Sequence, residues 1–183
     1  MAIYAFDKII KNKFKTINNK FISYYEYKKK CIEKVYLLSK LYFTGISENY
    51  IKTLLSNNKI KILFVTIGQK FNPNDIVSII IYHKTISNNI IKYYILCFGI
   101  HKKFRKYGYG KFSLDEFVEW IKLNDKSNKQ KNILLKSVES SLIFYKTYGF
   151  VKSDLIQNKL FFKYEPNDEL KNNLDKILEF KIN

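Results

Sequence analysis

The chain has 183 residues, of which 46% are apolar, including 15 Tyr and 15 Phe; that is enough for one domain with a sizeable buried core. A total of 33 Lys and Arg against 16 Asp and Glu gives a formal net charge of +17. No run approaches the roughly 20 apolar residues of a membrane span. The N-terminal MAIYAFDKIIKNKFK lacks the residue order of a secretory signal. Cys31 and Cys97 are too few for a disulfide framework and have no metal-ligand spacing. The expectation is a cytoplasmic protein with no membrane segment and no metal. The positive charge invites a nucleic-acid reading. Against it, the lysines are spread along the whole chain, and the only arginine is Arg105. Lys, Asn, Ile, Tyr and Phe share A/T-rich codons, so base composition accounts for a solvated basic surface without a nucleic-acid partner.

No internal repeat or Pro/Gly/Ser-rich linker divides the chain, so residues 1–183 read as a single domain. Residues 1–20 carry no clear pattern. Residues 21–43 suit a helix, with Tyr24, Tyr27, Cys31, Val35 and Leu38 at helical spacing. A second helix is predicted over 47–56, capped by Ser47, with Ile51, Leu54 and Leu55 inward. The period then changes to that of strands. KIKILFVTI (59–67) is one strand, GQKFNPND a turn, and IVSIIIYH (76–83) a second strand. Ser87-Asn88-Asn89 turns the chain into a third, IIKYYILCFGI (90–100), apolar enough to be buried on both faces.

FRKYGYGK follows, and then a helix over about 111–123 with Leu114, Phe117, Val118 and Ile121 on one stripe. ILLKS (133–137) is a short strand, and 140–148 a short helix that Gly149 can end. Residues 150–155 and 159–164 read as a closing hairpin. Residues 168–180 read as an amphipathic tail helix with Leu170, Leu174, Ile177 and Leu178 on its stripe. The core spans about 21–164, with the tail helix in 165–183. The sum is an α+β fold, a mostly antiparallel sheet with helices on both faces.

The strand–loop–helix unit at 90–123 carries the chemistry. Glycines let a loop turn sharply and approach a ligand closely. A helix that starts directly afterwards offers N–H groups and partial positive charge, which favours a phosphate or pyrophosphate. Lys102, Lys103, Lys106 and Lys111 add cationic potential. The P-loop pattern GxxxxGK[ST] is absent, and only the first G-x-G of a dinucleotide fingerprint is present.

The R-x-x-G-x-G of Arg105, Gly108 and Gly110 resembles the coenzyme A pyrophosphate loop of the GCN5-related N-acetyltransferases, the GNAT family. Aromatic Phe104 precedes it, as in that family's strand-and-loop. Further on, FYKTYGF (144–150) resembles the family's F/L-Y-x-x-x-G-F, again after a strand and in the same order. The resemblance covers about residues 47–164 and implies a fold with splayed central strands.

It also implies an acetyl-CoA cofactor and direct attack of a primary amine on the thioester. Phe98, Gly99 and Ile100 would pair with the pantetheine through their backbones. Gly99 also has a bottom-up reading, since a glycine in a buried strand marks a bulge or a close approach, to a ligand or to a packed neighbour. Arg105, Lys106, Tyr107, Gly108, Tyr109, Gly110 and Lys111 would hold the pyrophosphate, with the planar Arg105 fork bracing the loop or gripping phosphate. Tyr145 matches the position that protonates the leaving thiolate; a phenol with a pKa near 10 stays protonated at neutral pH.

The base departs from the family pattern. Many members use a carboxylate on the fourth or fifth strand, and 90–100 and 133–137 contain none. Tyr94 is the candidate, with His83 and Glu139 as alternatives. The acceptor is expected to be a protein N-terminus, a lysine or a small amine, with a polycation disfavoured by the net charge. The tail stripe would suit a homodimer or the domain itself. A GNAT fold that binds CoA without transfer is the second reading, and a basic nucleic-acid-binding domain the third.

Overall fold

The computed structural model describes residues 2–9, 11, 24–43, 45–68, 70–152 and 176–182. Its strands are β1 (Ala2–Ala5), β2 (Ile60–Thr66), β3 (Ile76–Ser87), β4 (Ile90–Ile100), β5 (Gln130–Ser137), β6 (Val151–Lys152) and β7 (Lys176–Ile182). They form one sheet in the order β1-β2-β3-β4-β5-β7-β6. Helices α1 (Tyr24–Ser39), α2 (Glu48–Ser56), α3 (Tyr109–Asn124) and α4 (Glu139–Tyr148) accompany it. The chain groups into two compact units, Met1–Ile81 with Cys97–Asn124, and Tyr82–Leu96 with Asp125–Asn183. Strands β3 and β4 each run from one unit into the other.

In the first unit, α2 forms as its sequence predicts. The Ser47 side chain accepts a hydrogen bond from the Tyr50 N–H, satisfying a first-turn donor, and Ile51, Leu54 and Leu55 are buried. Helix α3 buries Leu114, Phe117, Val118 and Ile121; each such side chain contributes about 1.5–3 kcal/mol on leaving water. It begins at Tyr109, two residues earlier than its apolar stripe suggests. In α1, Val35 is buried while Cys31 and Leu38 are half-buried; the side chains of Tyr24 and Tyr27 lie outside the described residues. The N-terminus, patternless in sequence, supplies β1, which pairs antiparallel with β2 from Ala2↔Thr66 to Ala5↔Leu63.

Strand β3 runs to Ser87, past its apolar stretch, because a two-residue turn closes it onto β4. Asn88 and Asn89 sit at φ 50° and 60°. Two left-handed residues in succession suit the twist of a tight hairpin, and asparagine tolerates that conformation.

In the second unit, β4 pairs parallel with β5 from Ile90↔Gln130 to Ile95↔Leu135. That ladder ends well before β4 does at Ile100. Strand β5 then pairs antiparallel with β7, from Lys131↔Ile182 to Ser137↔Lys176. One expectation is corrected here. Residues 176–180 are not the end of a tail helix but part of β7. KILEFKI also alternates at period 2, and the open edge of β5 selects the strand over the helical stripe. The short β6 pairs with β7, Val151 opposite Glu179. Residues 153–175, with the second arm of the expected hairpin at 159–164 and the start of the tail helix, lie outside the described residues.

Candidate functional site

In the first unit the end of β4 leads straight into the Arg105 loop. Cys97 and Gly99 are buried there, and Phe98 and Ile100 are half-buried. Burial pushes the Cys97 thiol up to about 12, which leaves it a packing group without thiolate reactivity. A Cβ built on Gly99 would stand 2.7 Å from the Phe43 ring and 2.8 Å from the Tyr42 carbonyl oxygen. The close approach that requires glycine is therefore to the segment after α1. Tyr42 is fastened in turn, its hydroxyl donating to the Ile76 carbonyl at 2.8 Å, and burial raises its pKa.

The backbone N–H of His101 donates to the Val77 carbonyl. Its Nδ1 accepts from the Lys103 N–H, and its ring meets those of Tyr42 and Phe104 edge-on. Burial, then the charges of Lys103 and Arg105, lower its pKa and keep the ring neutral. His101 is thus a structural pin. Lys102–Phe104 form a single 3-10 turn. Arg105 follows, and its Nε–H donates to the Ile100 carbonyl at 3.1 Å. A guanidinium can aim an N–H at that carbonyl and keep its remaining donors, which a lysine cannot match.

Lys106 and Gly108 lie at φ 70° and 79°, the left-handed region. Nothing stands within 4 Å of the place a Gly108 Cβ would occupy. The Phe112 N–H bonds back to the Gly108 carbonyl, so the N–H groups of Tyr109, Gly110 and Lys111 form the first turn of α3, where a helix has no internal acceptors to offer. Lys102, Lys103, Arg105, Lys106 and Gly108 are exposed, and Tyr107 is 75% exposed. The Lys111 ammonium sits 3.1 Å from Asp115 in an exposed pair of little energetic weight. Two left-handed residues, open space over Gly108, a helix start and a braced arginine are features with which a backbone can receive an anion.

The two candidate tyrosines belong to the second unit. Tyr94 is 9% exposed and packs with Leu134 and Leu96. Its neighbour Tyr93 points the other way. The Tyr93 hydroxyl donates to Asp125 Oδ2 at 2.7 Å, the Lys84 ammonium reaches the same oxygen at 2.7 Å, and the Ser127 N–H bonds Oδ1. Burial would raise the Asp125 pKa, but the hydrogen bonds from Lys84, Tyr93 and Ser127 outweigh it and hold the carboxyl well below the usual range. Burial, with Asp125 adding to it, raises that of Tyr93. Sequence reading passed over Asp125, which stands just after α3 and looks like one more polar loop residue.

Tyr145 is also 9% exposed. Its ring meets Phe144 and Phe150 edge-on, and Phe150 and Tyr148 meet Phe180 of β7. Gly149 takes φ 114°, and the Phe150 N–H bonds the Tyr145 carbonyl. Much of FYKTYGF is thereby accounted for as an aromatic clasp. Registers Tyr93↔Ile133 and Ile133↔Phe180 place Phe180 on the Tyr93 face of the sheet. Tyr145 therefore lies over that face and Tyr94 on the opposite one. Of the alternatives, His83 is buried in β3, and Glu139 is exposed in the first turn of α4, where its charge favours the helix start. Among the described residues no three His, Cys, Asp or Glu side chains could hold a metal ion, and no helix is long and apolar enough to cross a membrane.

No protein-family model matches the sequence, and no curated protein matches it. Solved structures do. Tetrahymena GCN5 is 13% identical, with a TM-score of 0.56 over 85% of this chain and 88% of that one. Arabidopsis thaliana NAA60, solved with acetyl-CoA, is 12% identical, with a TM-score of 0.52 over 82% and 93%. The ribosomal-protein-S18-alanine N-acetyltransferase of Escherichia coli is 11% identical, with a TM-score of 0.50 over 82% and 87%. Seven strands in this order, and these likenesses, show that the chain has the fold of the GCN5-related N-acetyltransferases.

Proposed function

We propose that the protein transfers an acetyl group from acetyl-CoA to a primary amine. The observation that carries the reading is the cradle from Arg105 to Lys111, where Arg105 holds the Ile100 carbonyl and Gly108 opens onto the first turn of α3. The backbone N–H groups of that turn, with Arg105 and Lys106, hold the pyrophosphate. The early end of the β4–β5 ladder supports a pantetheine pairing with the backbones of Phe98, Gly99 and Ile100. Bound acetyl-CoA supplies the activated acetyl group as a thioester.

The acceptor nitrogen, an ammonium in water, loses one proton before attack and a second as the amide forms. The departing sulfur takes up one, so one proton is released per turnover. Tyr94 takes a proton from the nitrogen as its own passes on to solvent, and Tyr145 gives its proton to the sulfur and regains one from solvent. The absence of a carboxylate from β4 and β5 favours one other reading, a CoA-binding protein without transfer. Release of free thiol from acetyl-CoA, followed across a panel of peptides and small amines, separates the two; binding without thiol release would favour the second.

A further inference from the structure

Strand β7 brings a carboxylate, Glu179, beside β5, whose own residues include none. Register runs from Tyr94 on β4 to Leu134 on β5 and on to Glu179 on β7, so the three side chains share a face and form one row. At the usual strand spacing, Glu179 stands about 10 Å from Tyr94, backbone to backbone. The neighbouring row is Lys92, Asn132 and Lys181, and Lys136 lies opposite Ile177 on the same face. On β4 to β7 Glu179 is the sole Asp or Glu. Asn132, buried, donates its Nδ2–H to Glu179 Oε1 and accepts from the Gln130 amide. The hydrogen bond from Asn132 fixes the direction in which the carboxylate points. Lys92 is 8% exposed, Glu179 and Lys136 are half-buried, and Lys181 is exposed. Among the described residues of β4, β5 and β7, the titratable groups on the face of Glu179 are Tyr94, Lys92, Lys136 and Lys181.

We propose that this face receives the acceptor, and that the acceptor is a primary amine on a peptide with acidic flanking residues. The inference rests on the acetyltransferase reading and adds the substrate class to it. Glu179 takes the ammonium by a charge-assisted hydrogen bond, Lys136 and Lys181 meet the carboxylates on either side, and buried Lys92 adds positive potential. One carboxylate among three lysines welcomes a single cation in an anionic setting and repels a polyamine or a basic peptide.

The test uses the full chain, acetyl-CoA and two peptides with the same N-terminal residue, one followed by Asp and Glu, the other by Lys. Thiol release should give a kcat/KM for the acidic peptide roughly tenfold or more above that for the basic one, shrinking as salt is raised. Glu179→Gln should raise KM for both peptides while acetyl-CoA affinity stays as in the wild type, a readout that a merely structural role would not give. Lys136→Glu with Lys181→Glu should remove or invert the preference. Equal use of the two peptides, or Glu179→Gln kinetics like the wild type, overturns the inference and leaves the acetyltransferase standing. Acetyl-CoA binding with no turnover of either peptide overturns it too, whereas loss of acetyl-CoA binding in the wild type overturns the underlying reading as well.

Discussion

The Nε–H of Arg105 donates to the carbonyl oxygen of Ile100 at 3.1 Å, tying the loop to the last residue of β4. In a chain that otherwise uses lysine for every cation, this hydrogen bond explains the exception. Arg105→Lys keeps the charge and loses the aimed donor. Acetyl-CoA affinity should fall roughly fivefold to tenfold, the worth of about 1 kcal/mol for one hydrogen bond. Arg105 is exposed, so the melting temperature should move little. Titration calorimetry and a thermal melt check both halves; a lysine variant that binds as tightly as the wild type would leave the brace without a role.

Gly99 is held by its neighbours. An added methyl group meets the Phe43 ring at 2.7 Å and the Tyr42 carbonyl at 2.8 Å, and Tyr42 cannot drift while its hydroxyl holds Ile76. Gly99→Ala should destabilise the protein by about 1–3 kcal/mol, the usual cost of overpacking. Phe43→Ala in the same chain should return part of that loss by making room for the methyl, a coupling that a double-mutant cycle in urea measures.

The Lys84–Asp125–Tyr93 cluster makes stability depend on acid. The folded-state pKa of Asp125 lies below its unfolded value of about 3.9. Its contribution is therefore complete above that unfolded value and is lost as pH falls through the lower folded one. Chemical denaturation from pH 7 down to pH 2 should show stability declining below about pH 5, with a shallower decline in Asp125→Asn. At pH 7 that variant should be less stable by about 1–3 kcal/mol, since the hydrogen bonds from Lys84 and Tyr93 lose a charged acceptor.

Strand β7 makes Leu178 a core residue, with no exposed surface, while Lys181 is exposed. Leu178→Ala should cost about 2–5 kcal/mol and Lys181→Ala almost nothing. Amide exchange should be slow across 177–182, where β5 pairs with β7. An amphipathic tail lying on the surface would give a small Leu178 effect and fast exchange.

The contrast between β4 and β7 shows what a single sequence carries. Strand β4 was legible to its last residue because ten of its eleven positions are apolar or glycine, between an Asn-Asn turn and a basic loop. Helix α2 was legible because Ser47 and three apolar positions agree. The seven residues of β7 fit both periods, and the edge of β5 that decides between them is more than thirty residues away in the chain. The same ambiguity hid Glu179. The Arg105 loop was readable because glycine spacing and helix start are local. Asp125 and the Phe43–Gly99 contact were not, because they depend on which segments the fold brings together.

Isothermal titration of the protein with acetyl-CoA, run beside Gly108→Glu, probes the cofactor cradle. Space is open over Gly108, so the glutamate would place an anion at the mouth of the cradle; a thermal melt checks that the variant is folded, because φ 79° is a strained conformation for glutamate. A one-to-one isotherm with Kd on the order of micromolar in the wild type, abolished in a folded Gly108→Glu, is the expected result. A folded wild type that takes up no acetyl-CoA would contradict the account.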